Sequence, residues 1–136
     1  MASDRLCRDR KENIVILDTN ALMMLFEFSI DLESELDRIL GSYKFIIPST
    51  VSDELRLLSE KGKGKQKRIA KSAISLSKKY ETVQIETNES VDDSILLLAK
   101  KTEGIVITND KELRKRLKNS GLRVIYLRAK KKLEID

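Results

Sequence analysis

Asn13-Ile14-Val15-Ile16-Leu17-Asp18-Thr19-Asn20 is the stretch on which the fold turns. Ile14 to Leu17 form a continuous apolar run that ends on a carboxylate. A strand apolar on both faces belongs inside a parallel sheet. Polar residues at its carboxyl end lie where open α/β sheets bind their ligands.

Working outward, Phe45-Ile46-Ile47 is a second short strand stopped by Pro48. Ile105-Val106-Ile107 follows Gly104 as a further strand, and Val124 to Leu127 is the last. Thr82 to Glu86 is a weaker strand. Between them the apolar spacing is helical. Leu32, Leu36, Ile39 and Leu40 mark a helix closed by Gly41, and Val51, Leu55 and Leu58 mark one that begins at Ser49. Lys61 to Lys65, with two glycines, reads as a loop before a helix carrying Ile69, Ala73, Leu76 and Tyr80. Ser90 opens a helix through Ile95, Leu98 and Ala99, and Leu113 and Leu117 mark a short one before Gly121. Strands thus alternate with helices, about five of each, which predicts one three-layer α/β/α domain around a mostly parallel sheet. The expected organisation is a polar extension over 1–12, the domain over 13–128 and a basic tail over 129–136.

Composition narrows the chemistry. The 136 residues suit one domain. There is no histidine and one cysteine, Cys7. Ser-His-Asp and Cys-His catalysis and an internal disulfide framework are therefore excluded, and the composition argues against a zinc site, which wants imidazole or thiolate ligands. A metal here would be held by oxygen, which points to magnesium or manganese. No run of apolar residues is long enough to span a membrane and Met1 to Asn13 lack the apolar centre of a secretory signal. A cytoplasmic protein is expected. Lys and Arg number 27 against 22 Asp and Glu, a net charge of +5. The excess is gathered in three runs, around Lys61 to Lys71, Lys111 to Lys118 and Arg128 to Lys132. With only three Phe and three Tyr, contacts of such surfaces would be to phosphate rather than to stacked bases.

The acids fall at matching places. Asp18 follows the first strand, Asp110 follows Thr108-Asn109 after the Ile105–Ile107 strand, Asp92 and Asp93 open the helix entering that strand, and Glu54 lies one turn into the helix after the second strand. Each has a local reading as well. Asp18 is a favoured helix N-cap residue. Ser90 with Asp93, and Asn109 with Glu112, fit capping boxes. Glu54 shares a helix face with Val51 and Leu58, so it needs a charged partner, either a Lys or Arg or a metal. Brought together, four such acids repel one another unless a cation neutralises them. A hard divalent ion does so while activating water and offsetting charge on phosphate oxygens.

The strand into Asp18-Thr19-Asn20, Glu54, the Asp92-Asp93 helix start and Ile107-Thr108-Asn109-Asp110 together resemble the PIN-domain ribonucleases over residues 13 to 127. The resemblance implies a PIN-like domain that hydrolyses RNA phosphodiester bonds as an endoribonuclease with Mg2+ or Mn2+. It implies Asp18, Glu54, Asp92 and Asp110 as catalytic, metal-binding acids, with Asn20, Thr108 and Asp93 in support. Val91-Asp92-Asp93-Ser94, the Gly- and Lys-rich stretch around 61–68 and Arg128-Ala129-Lys130-Lys131-Lys132-Leu133 are similar to an archaeal branch related to small-subunit ribosomal RNA processing endonucleases. Ribosomal RNA or its precursor would then be the partner, bound by Lys61, Lys63, Lys65, Lys67, Arg68, Lys130, Lys131 and Lys132. A homodimer is compatible with this reading. VapC-type toxins, which would bring an antitoxin partner, are the nearest alternative. The non-enzymatic alternative is an RNA-binding or ribosome-assembly module with a vestigial acidic site.

Other nucleotide and phosphate folds fit less well. A haloacid-dehalogenase-type phosphatase needs an Asp where Asn20 stands, and a phospho-receiver needs one in Ile85-Glu86-Thr87-Asn88. No Gly-rich loop follows the first strand, which argues against Rossmann and P-loop sites.

Overall fold

The computed structural model describes residues 12–85 and 90–136. The strand read from Ile14 to Leu17 is β1 (Asn13–Leu17), with Val15, Ile16 and Leu17 fully buried. It is followed by α1 (Thr19–Glu27), α2 (Leu32–Ile39), β2 (Tyr43–Pro48), α3 (Ser49–Lys61), α4 (Gly64–Ser77) and β3 (Glu81–Val83). The chain then runs through α5 (Val91–Thr102), β4 (Ile105–Ile107), α6 (Lys111–Asn119), β5 (Val124–Arg128) and β6 (Lys132–Ile135).

One sheet carries the strands in the order β3-β2-β1-β4-β5-β6. Every pairing is parallel except the last, β5 with β6. The sheet grows from β1 to β2 to β3, then reverses and continues at β4 on the other side of β1. Right-handed crossovers place helices on opposite faces either side of such a reversal, giving three layers. The crevice at the reversal, between the carboxyl ends of β1 and β4, is where this topology leaves room for a ligand. The register pairs Leu17 with Ile107, so Asp18 and Thr108 emerge side by side. Helix α5 brings Ile95, Leu98 and Ala99 into the core and packs against β1, β2 and β4.

Three expectations change. The stretch from Lys61 to Lys65 is not an open loop. Gly62 and Lys63 alone separate α3 from α4, and Lys65, Lys67 and Arg68 lie on α4. Gly64 has a φ of +54°, and a Cβ at Gly62 would strike the Leu58 carbonyl. The two glycines therefore make a tight helical hairpin rather than a flexible segment. The expected strand over 82–86 is β3, Glu81–Val83, and Glu86 lies outside the described residues. Residues 132–135, expected in a basic tail, form β6, with Leu133 fully buried. No described helix is long and apolar enough to cross a membrane.

Candidate active site

Asp18 occupies the N-cap position of α1 but makes no side-chain capping bond. Its carboxylate instead turns to the neighbouring strand end, where the Thr108 hydroxyl donates to Oδ2 at 2.8 Å. The Asp110 N–H in turn donates to Thr108 Oγ1 at 3.1 Å. The ends of β1 and β4 are thus tied through one hydroxyl. Asp18 is only 4% exposed. Burial, set against the Thr108 bond, pushes its carboxyl from 3.8 up to about 6, and Asp92, Glu54 and Asp110 add to the rise. A buried carboxylate that feels the charge of three others is disfavoured in its ionised form unless a cation meets it.

Glu54 is half-buried on α3, and among the described residues no Lys or Arg forms an ion pair with it. The cationic partner open to it in the sequence is therefore not supplied by this part of the chain. Asp92, in the first turn of α5, is also half-buried. Burial raises its pKa first and Asp110 next, while Arg116 opposes them. Asp110 is exposed and caps α6 by accepting the Leu113 N–H at 3.1 Å. The capping reading therefore holds for Asp110, yet its charge is felt at both Asp18 and Asp92.

The supporting residues divide. Asp93 lies in the first turn of α5, where its N–H donates to Ser90 Oγ at 3.1 Å and its Oδ1 accepts from Arg116 at 2.6 Å. Asn20 is exposed on the first turn of α1. Asn109, expected in a capping box, instead bonds β5. Its Nδ2 donates to the Leu127 carbonyl at 3.0 Å and its Oδ1 accepts the Leu127 N–H at 2.7 Å.

Two features escaped the sequence reading. Arg116 links α6 to the start of α5 through Asp93, although its run of cations reads as a solvated face. The sequence offered only the acid at a helix start and the cation run that follows, with nothing to pair them. Thr50 and the fully buried Ser94 share a hydroxyl bond of 2.6 Å. It braces the helix that carries Glu54 against the helix that carries Asp92.

The predicted RNA-contacting cations do not touch the acids. Lys65 pairs with Glu27 at 3.2 Å at the far end of α1. Lys61 and Lys63 are exposed at the hairpin turn, Lys67 is half-buried and Arg68 exposed. Glu54 and Lys61 are two helical turns apart on one face, about 10.5 Å along the axis. Lys130 sits over the Phe28 ring at 5.3 Å, and Lys131 and Lys132 are exposed beside it in the chain.

The donor set fits a hard cation. Every candidate ligand is a carboxylate or hydroxyl oxygen, and Asp18 is buried beside three other acids. As the side chains stand, no group of three acids among the described residues is arranged to enclose one ion. Magnesium does not require such a cage, since it keeps several waters and takes one or two carboxylates directly.

A family model described as a PIN like domain matches residues 15–130. Ribonuclease VapC9 of Archaeoglobus fulgidus is 35% identical over 136 residues, covering all of this chain and 98% of that protein. Ribonuclease VapC4 of Methanocaldococcus jannaschii is 35% identical over 125 residues, covering 89% of this chain and 95% of that protein. Among solved structures, the PIN domain endonuclease Utp24 superposes with a TM-score of 0.74 at 23% identity, with 90% of each chain covered. That likeness speaks to the fold.

Proposed function

The chain belongs to the PIN-domain family, and from that premise we propose that it is a divalent-metal-dependent endoribonuclease. Asp18, Glu54, Asp92 and Asp110 are its metal-binding and catalytic acids. The observation that carries this reading is the Asp18 carboxylate, buried at the strand reversal among three other acids with its pKa raised to about 6. Such an arrangement is unfavourable in itself and becomes favourable when a cation is bound.

A bound Mg2+ or Mn2+ supplies an activated water and neutralises the charge that builds on phosphate oxygens during displacement. The chain's own residues prepare the site for it. Thr108 fixes the Asp18 carboxylate and anchors the Asp110 backbone. Arg116 holds Asp93, which keeps the start of α5 and hence Asp92 in place. Asn20, exposed on the first turn of α1, supports the substrate side of the site in this reading. Lys61, Lys63, Lys65, Lys67 and Arg68 on the helical hairpin, with Lys130 and Lys131 on the β5–β6 turn and Lys132 at the start of β6, offset the repulsion that the acids exert on an RNA backbone. The substrate in this reading is ribosomal RNA or its precursor.

A second reading is a VapC-type toxin ribonuclease held by an antitoxin partner. It is favoured by the two relatives named ribonuclease VapC, which are 35% identical over nearly the whole chain. Limited digestion of total cellular RNA, with the cleavage sites mapped, separates the two. Cuts confined to the ends of ribosomal RNA precursors favour processing, and cuts that inactivate mature translation RNAs favour the toxin.

The activity itself is tested on a structured RNA with and without Mn2+, using wild type, Asp18→Asn and Asp110→Asn. Cleavage should require the metal and be lost in both variants with the fold retained. Full activity in Asp18→Asn ends this reading.

A further inference from the structure

The cations of α6 are sorted onto two faces. Arg116 turns toward α5 and is held by Asp93. Lys111, Arg114, Lys115 and Lys118 follow the i, i+3, i+4, i+7 spacing that puts side chains on one helix face. The same four residues, with Asn119 and Asp136, line an open depression of about 450 Å³. Leu113 and Leu117, on the opposite side of the helix, are fully buried and fix which face is outward. Lys111 directly follows Asp110, so the cationic face begins beside the acids and extends about 10.5 Å along the helix.

The depression already holds an anion of the chain's own. The Asp136 carboxylate Oδ2 lies 2.9 Å from Lys118 Nζ and 3.5 Å from an Arg114 guanidinium nitrogen. Arg114 is also braced, 4.3 Å over the centroid of the Tyr126 ring. A guanidinium held over a ring is pre-set to donate to an oxyanion, because less side-chain freedom is lost on binding. Lys115, exposed, makes no ion pair among the described residues.

We propose that this face of α6 is a docking track for the RNA backbone leading to the acids, with a phosphate taking the seat that the Asp136 carboxylate occupies. The track lies outside the hairpin and turn cations assigned to RNA above. The occupant follows from charge complementarity and from the resident carboxylate, an anion of similar hydrogen-bonding chemistry in contact with two of the cations. The proposal rests on the ribonuclease reading of the acid site and adds the direction from which substrate approaches it. Asp136 is then a competitor that RNA displaces.

The test measures binding of a fluorescently labelled single-stranded RNA by anisotropy over a range of salt concentrations, in EDTA so that no cleavage intervenes. The proteins are wild type, Lys115→Ala/Lys118→Ala and Asp136→Asn. Each phosphate contact contributes about 0.7 to the salt slope for single strands, which is about fivefold in affinity at 0.1 M salt. The double variant should lower the slope by about 1.4 and weaken binding roughly 25-fold at 0.1 M. Asp136→Asn, which frees Arg114 and Lys118, should tighten binding several-fold. A merely structural role for the Asp136 pairs predicts the opposite sign or no change. An unchanged slope in the double variant, or binding by Asp136→Asn no tighter than wild type, overturns the proposal. These failures are distinct from failure of the ribonuclease reading. In that case metal-dependent cleavage survives Asp18→Asn, whatever the α6 variants do.

Discussion

Removing the charge of Asp18 should stabilise the metal-free protein, and only above a definite pH. The unfolded chain ionises this group near 3.8, whereas the folded protein holds the proton up to about 6. Between those values the folded state binds more protons, so stability falls as pH rises, and the full cost is present above pH 6. At about 1.36 kcal/mol for each tenfold change in proton affinity, the rise corresponds to roughly 3 kcal/mol. Asparagine is neutral throughout and keeps an oxygen to accept from Thr108. Its amide N–H2 group, buried where a carboxylate oxygen stood, gives back about 1 kcal/mol. Asp18→Asn should therefore be more stable than wild type by about 2 kcal/mol at pH 8, or roughly 6–10 °C in Tm for a domain of this size. At pH 4 only about 0.5 kcal/mol of the benefit remains, so wild type should lead by about 0.5 kcal/mol. Urea unfolding in EDTA at the two pH values measures both differences. Mn2+ added at pH 8 should stabilise wild type more than the variant and narrow the gap. A stability difference that is the same at both pH values, or a wild type that leads at pH 8, would refute the argument that this carboxylate is held in an unfavourable charged state.

Two other perturbations follow from the geometry. Asp92→Ala should lose manganese-dependent cleavage at no cost in stability in EDTA, whereas Asp93→Ala should cost about 0.5–1 kcal/mol by releasing the partly exposed Arg116 pair and lower activity only in part; the reverse pattern in cleavage and urea assays would show that the acid positions are exchanged. The β5–β6 turn carries Ala129 and Lys130 with φ of 55° and 59°, so Ala129→Asn/Lys130→Gly should raise stability by about 1 kcal/mol in thermal melts, because Asn and Gly tolerate this region better.

What the sequence made legible was local. The strands β1, β2, β4 and β5 are apolar runs, and a buried strand has to be one. The β6 strand was hidden because Lys132-Leu133-Glu134-Ile135 offers only two apolar residues among charges. What secures it is remote. The Glu35 carboxylate accepts the Leu133 N–H at 2.8 Å, and Arg38 donates to the Leu133 carbonyl at 2.8 Å. A helix nearly a hundred residues earlier in the chain thus caps both polar groups of one residue on the edge strand. Neither that contact nor the helical hairpin at Gly62 leaves a periodic signal. Glycines mark open loops and tight helix junctions alike, and here the close approach of the Leu58 carbonyl selects the junction.

The acids posed a different problem, since capping and ligand binding ask for the same residue types at the same places. Sequence could list both roles for Asp18 and Asp110 but could not choose, because the choice lies in the parallel register of β1 with β4. With Leu17 opposite Ile107, the Thr108 hydroxyl reaches Asp18 across 90 positions of chain, and the carboxylate has a better donor than its own helix. Asp110 is spared the choice. A carboxylate has two oxygens and about four acceptor sites, and Leu113 uses Oδ1 alone. Capping orients that side chain and leaves acceptor capacity for a cation. The local motif and the remote site are therefore parts of one arrangement, in which the helix start that fixes Asp110 also begins the cationic face of α6.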